Sequence, residues 1–182
     1  VGGDVIGLLV IDMQVGLFAG ASRYDADGVV RRANDLAHAV RAKGGAVIFV
    51  QHDGAEKTGL EPQTPGWEVL PALDRRPTDL VVRKTACDSF YRSGLDAILR
   101  ERKITRLLVT GCATDFCVDT TIRSAASKDY DVVVASDGHT TADRPHLSAE
   151  QIIEHHNRMW ANLILPGHPV TVVKTEELLR EI

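Results

Sequence analysis

A chain of 182 residues, 44% hydrophobic and 25% charged, has the make-up of an ordinary globular domain. It is long enough to bury a core without disulfide or metal staples. A formal net charge of −4 with no basic run argues against nucleic acid or an anionic membrane as partner. Three cysteines, odd in number and sparse, argue against a disulfide scaffold and for a reducing, cytoplasmic setting.

Val5 to Ile11 is a continuous apolar run with no basic leader, so it reads as a core strand, not a signal peptide or membrane span. It ends at Asp12-Met13-Gln14. Open α/β sheets bind ligands at strand carboxyl ends, although an Asp there in isolation reads more simply as a turn cap. Residues 27–43 repeat Val29, Ala33, Leu36 and Val40 at helical spacing, and Gly44-Gly45 closes the helix. Residues 46–50 form a second buried strand ending at Gln51-His52-Asp53. Residues 53–78 hold four of the seven prolines and Trp67. So long an excursion either walls one side of a pocket or lies on the surface as an Ω-loop.

Leu80 to Val82 is a third strand that terminates at Arg83-Lys84, and residues 94–102 make a short helix. A fourth strand, 106–110, turns through Thr110 and Gly111 into a helix opened by Thr114 and Asp115. Cys117 falls in its first turn. Residues 131–135 form a fifth strand, and Ser148 with Gln151 makes a capping box for a helix carrying His156, Met159 and Trp160. A last strand at 170–173 precedes a helix capped by Thr175. The alternation predicts an α/β fold: a single domain over 1–182, a doubly wound, Rossmann-like six-stranded parallel sheet flanked by helices. No Gly-x-Gly-x-x-Gly follows the first strand, which disfavours a dinucleotide site.

Three strand ends thus deliver Asp12, Lys84 and Cys117 to one sheet edge. A lone cysteine in an α/β protein is more often a small buried hydrophobe, but this combination makes chemical sense. Free cysteine titrates at about 8.5. Lys84 and the helix terminus are expected to lower that value, while Asp12 accepts the thiol proton and returns it to a leaving amine.

These residues resemble the isochorismatase-like cysteine hydrolases. The likeness rests on Leu-Leu-Val-Ile-Asp-Met-Gln (8–14), Val-Val-Arg-Lys (81–84) and Val-Thr-Gly-Cys-Ala-Thr-Asp-Phe-Cys-Val (109–118), followed by Thr-Ile-Arg-Ser-Ala. It covers nearly the whole chain. The resemblance implies an Asp12–Lys84–Cys117 catalytic triad and a cis peptide between Cys112 and Ala113. It further implies an oxyanion hole from the N–H groups of Ala113 and Cys117, and a homo-oligomer, dimer or tetramer. Members that cleave nicotinamide carry an Asp-x-His metal motif after the second strand, where this chain has Gln51-His52-Asp53-Gly54. No metal and no cofactor are therefore expected. Siderophore-pathway isochorismatases typically lack the nucleophilic cysteine, so Cys117 implies amide or ureido C–N cleavage, as in carbamoyl-sarcosine and ureidoacrylate amidohydrolases. The alternatives are vinyl-ether hydrolysis with Asp12 alone as acid, or a non-catalytic binding or redox-thiol protein.

For a small-molecule substrate, Gln14, His52, Trp67 and Phe90 are the expected pocket residues, all at or just beyond strand ends. A zinc site from His139 and His146 with Asp137 or Asp143 is disfavoured. The helix bearing Met159 and Trp160 is read as a face for another subunit.

Overall fold

The run from Val5 to Ile11 forms β1, buried from Gly7 onward. A computed structural model describes residues 5–20 and 22–182. Along β1 successive side chains alternate: Leu8 and Val10 enter one core, Leu9 and Ile11 the other. That two-sided burial is why the strand reads as uninterrupted apolar sequence. The remaining elements are α1 (Val15–Ala19), α2 (Ala26–Ala42), β2 (Ala46–His52), β3 (Leu80–Lys84), α3 (Leu95–Glu101), β4 (Ile104–Cys112), α4 (Asp119–Ala126), β5 (Asp131–Thr140), α5 (Ala149–Ala161), β6 (Thr171–Val173) and α6 (Thr175–Glu181).

The six strands are parallel in the order β3-β2-β1-β4-β5-β6. The chain winds outward from β1 through β2 to β3, then returns to start again at β4. This reversal opens a crevice at the carboxyl ends of β1 and β4, where such sheets collect ligands. Val29, Ala33, Leu36 and Val40 of α2 cover one face, and Ile122, Ala125 and Trp160 of α4 and α5 cover the other. No helix among the described residues is long and apolar enough to cross a membrane.

Several elements depart from the sequence reading. α1 was not foreseen, and β4 and β5 run further than their apolar residues suggest. A register shift between Val109 and Gly111 lets Ser136-Asp137-Gly138 bulge out before pairing resumes at His139 and Thr140. Polar residues in a bulge carry no hydrophobic signal. The 53–78 excursion contains no helix or strand, yet it is strapped to the segment after β1. Val15 N–H donates to Glu68 O (2.9 Å), Gly16 N–H to Gly66 O (2.7 Å) and Leu70 N–H to Met13 O (2.9 Å).

α5 corrects a second expectation. Trp160 does not face a neighbouring subunit: it is 0% exposed and its indole N–H donates to Asp119 Oδ1 at 2.7 Å. The apolar stripe of α5 is spent inside the fold. Thr175 is not the cap of α6 either. It is the first helical residue, and its N–H and hydroxyl both donate to Asp137 Oδ1. Trp160→Ala should cost roughly 3–5 kcal/mol of stability, read by urea unfolding. An effect below 1 kcal/mol would mean that the site beneath α5 repacks freely.

Candidate active site

Asp12 is the first residue beyond β1, in a left-handed conformation (φ 48°) that Asp and Asn adopt more readily than most residues. Its N–H is tied to Val50 O (2.9 Å) on β2. Lys84 ends β3, paired in register with His52 of β2. Its side chain crosses the sheet edge so that Nζ lies 2.6 Å from Asp12 Oδ2, both side chains fully buried. The ammonium also donates to Ala86 O (2.9 Å) and to Cys117 Sγ (3.4 Å), and it lies 3.4 Å from His52 Nδ1.

Cys117 is positioned by the turn after β4. Gly111 (φ 132°) passes so close to β1 that a Cβ there would sit 2.2 Å from Ile11 O. The Cys112–Ala113 peptide bond is cis. The chain then makes a wide π-helical turn over Thr114–Val118, with Val118 N–H donating to Ala113 O at 3.1 Å. Thr114 and Asp115 do not cap it, contrary to the sequence reading. Both side chains turn instead to the β5 side. Thr114 Oγ1 bonds His139 Nδ1 (2.8 Å), and His139 Nε2 bonds Asn157 Oδ1 (3.0 Å). Asp115 accepts from Thr141 Oγ1 and from Arg144 Nε at 2.8 Å and Nη2 at 3.1 Å.

His139 is fully enclosed, and burial pushes its pKa down to about 4. A neutral ring donates from Nε2 and accepts at Nδ1, as the pairing with Asn157 and Thr114 requires. Because the unfolded ring titrates near 6.5, the unfolded state binds the extra proton as pH falls. Stability is therefore lost on acidification through the window from 6.5 to about 4. Between pH 7 and pH 5 the wild type should lose on the order of 2 kcal/mol more than a His139→Gln protein. Parallel urea melts at the two pH values measure this, and equal losses would contradict it.

The electrostatics of the cluster overturn the expected low thiol pKa. Burial raises Asp12 above its ordinary value, with Lys84 opposing. Burial pulls the Lys84 ammonium down, but Asp12 and Cys117 outweigh it, and the pKa ends above the ordinary lysine value. The Cys117 thiol is pushed up by burial and by the Asp12 carboxylate, against the pull of Lys84. Lys84 is already neutralised by Asp12, so a thiolate would leave a buried net negative charge. The thiol therefore rests protonated beside the Asp12–Lys84 pair. Beyond the Lys84 ion pair at Oδ2, neither Asp12 oxygen makes a hydrogen bond among the described residues, and the Cys117 thiol is a proton donor beside the carboxylate. His52 is held neutral by burial and then by the Lys84 charge.

Asp12, Ala113 and Cys117 line a cavity of about 310 Å³. Leu17, Leu60 and Phe116 give it apolar walls, while His52, Arg23 and Arg144 supply the basic side chains. A larger concavity of about 520 Å³ at the strand amino ends is lined by neither cysteine nor histidine.

Of the four expected pocket residues, only His52 lines the cavity. Gln14 is fully buried, with both ends of its carboxamide spent on backbone. Nε2 donates to His52 O (3.0 Å) and Trp67 O (2.9 Å), while Oε1 accepts from His52 N–H (2.8 Å). It splints the end of β2 to the 53–78 excursion. Trp67 donates from Nε1 to Asp53 Oδ1 (2.9 Å) and stacks under Arg83. Phe90 packs on Tyr130 at 5.8 Å, on the flank of the sheet. Missed entirely were Arg23, Phe116 and Arg144. Phe116 adjoins Cys117 and is 51% exposed, a position that adjacency to the thiol signals. Arg144 reaches the site through its pairing with Asp115, which no local spacing reveals. Cys112 also lines the cavity but is fully enclosed, and burial raises its pKa to about 12.

Residues 7–171 match the sequence profile described as the isochorismatase domain. The chain belongs to the isochorismatase family. Among its relatives, a streptothricin hydrolase of Streptomyces noursei is 37% identical over 76% of this chain and 55% of its own length. The ureidoacrylate amidohydrolase RutB of Variovorax paradoxus is 29% identical over 71% of this chain and 66% of that protein. The chain thus spans about half the length of the first relative and 66% of the second. A crystal structure of an isochorismatase family protein superposes with a TM-score of 0.85 at 34% identity. That match covers 93% of this chain and 98% of the other. The family fold and the six-stranded parallel sheet agree with the architecture expected from the sequence.

Proposed function

We propose that this isochorismatase-family protein is a cysteine-dependent hydrolase of a small amide or ureido C–N bond. The observation that carries the reading is the fully buried Asp12–Lys84 pair in contact with Cys117 Sγ at the wall of a cavity. Burying a carboxylate and an ammonium costs stability that packed apolar residues would not, and strongly perturbed groups in a cleft mark candidate chemistry. The two relatives, a streptothricin hydrolase and a ureidoacrylate amidohydrolase, support the same class.

In this mechanism Asp12 accepts the thiol proton as Sγ attacks the substrate carbonyl carbon. The backbone N–H groups of Ala113 and Cys117 hold the resulting oxyanion. Collapse breaks the C–N bond, and the protonated Asp12 gives its proton to the departing amine or ammonia. Asp12 then deprotonates a water that attacks the thioester, the acid leaves, and the proton returns to sulfur. Lys84 stays protonated throughout and keeps Asp12 ionised at rest. His52, neutral, is free to orient substrate or water at the cavity edge. A homo-oligomer remains part of the proposal, and sedimentation velocity reads it. Turnover of a panel of primary amides and ureides by wild-type and Cys117→Ala proteins tests the chemistry. Equal rates for the two proteins would sink the nucleophile assignment.

A further inference from the structure

The charges around the cavity cancel in pairs, with one exception. Asp12 is neutralised by Lys84, Asp115 by Arg144 through two hydrogen bonds, and His52 is neutral. Arg23 also lines the cavity, yet it makes no ion pair among the described residues. Its Nε donates to Leu17 O at 2.8 Å. An arginine fork has five N–H donors, and the other four of Arg23 meet no protein acceptor among the described residues.

The side chain is also held in place. Beyond the Leu17 contact, the next residue is pinned to the end of β5. Tyr24 N–H donates to Thr141 O (3.0 Å), and Tyr24 O accepts from Thr140 Oγ1 (2.6 Å). The charge of Arg23 is felt at the Cys112 thiol, one residue before the Ala113 turn. An anchored, half-buried guanidinium with free donors, beside apolar Leu17, Leu60 and Phe116, is a receptor for a planar anion.

We infer that Arg23 binds a carboxylate carried by the substrate and so selects small acids over neutral amides. The inference rests on the hydrolase reading above. The substrate it describes is a small amido or ureido acid. Its carboxylate pairs with Arg23 while the scissile carbonyl sits at Cys117. A cavity of about 310 Å³ is at the low end of ligand pockets, roughly 300–1,000 Å³, which limits such an acid to a short chain.

Isothermal calorimetry on a Cys117→Ser protein, which holds ligand without turnover, tests this with N-carbamoylglycine, N-carbamoyl-β-alanine and their methyl esters. At least one acid should bind about 10-fold or more tightly than its ester, since a charge-assisted bidentate pair is lost in the ester. The preference should shrink with added salt. Adding Arg23→Gln should erase it while leaving ester binding within about twofold, and Arg23→Lys should keep part of it. Equal binding of acid and ester, failure of both acids to bind, or an undiminished preference in Arg23→Gln would each overturn the assignment. Turnover by the protein with Cys117 intact reports separately. Acids bound through Arg23 but not cleaved would remove the hydrolase reading and leave the anion site standing.

Discussion

Cys117→Ala should lower kcat on any amide or ureide the protein cleaves by at least about a thousandfold, with the fold intact. Cys87 also lines the cavity, but it is exposed and lies outside the buried Asp12–Lys84 contact that holds Cys117. Cys112 is fully enclosed with its pKa raised to about 12, and the Asp12 carboxylate is half of a buried ion pair. The truncation leaves that ion pair untouched, so unfolding free energy should move by no more than about 1 kcal/mol. Steady-state assays alongside urea melts separate the two quantities. Retained turnover of isochorismate by Cys117→Ala, with loss in Asp12→Asn, would instead point to vinyl-ether hydrolysis with Asp12 as the acid.

Lys84→Met should be the most destabilising single change at the site. It leaves the Asp12 carboxylate buried with no cation, a loss of roughly 3–5 kcal/mol at neutral pH. Asp12 already sits above its ordinary pKa through burial, and removing Lys84 removes what opposes that rise. A carboxylate whose folded pKa exceeds its unfolded value costs stability above the unfolded pKa and ceases to cost it once protonated. The variant should therefore regain stability as pH falls toward the acid range. Asp12→Asn/Lys84→Met should recover most of the loss at pH 7, because Asn tolerates the left-handed backbone at residue 12, and it should be inactive. Urea melts at pH 5 and pH 8 for the single and double variants check this. A single variant as stable as wild type would show that the buried pair is not coupled. In the wild type, the acid limb of kcat/KM should lie above the ordinary carboxylate value near 3.9, because Asp12 must be ionised to accept the thiol proton. That limb is a property of the coupled Asp12–Lys84–Cys117 cluster rather than of one residue.

Much of this architecture was legible in the chain because burial writes itself into residue type. β1 and β2 are apolar on both faces, and α2 repeats Val29, Ala33, Leu36 and Val40 at one face's spacing. The three strand-end residues Asp12, Lys84 and Cys117 could be placed on one edge because a parallel sheet puts all strand carboxyl ends together. What was not legible depends on contacts between distant segments. Gln14 looks like a pocket residue beside Asp12, but its carboxamide is spent on the backbones of His52 and Trp67. Trp160 at the end of a helical stripe reads as an exposed face until Asp119, 41 residues earlier, is found bonded to its indole. The thiol pKa was misjudged for a related reason. Lys84 promises a thiolate when considered alone, and only its pairing with Asp12 at 2.6 Å shows that its charge is already used.

The most direct test of the central claim is rapid-quench mass spectrometry of the protein turning over its best amide or ureide. A transient acyl adduct should appear on the peptide containing Cys117, removed by hydroxylamine and absent from Cys117→Ala. Full product formation with no adduct on Cys117 at any quench time would contradict it.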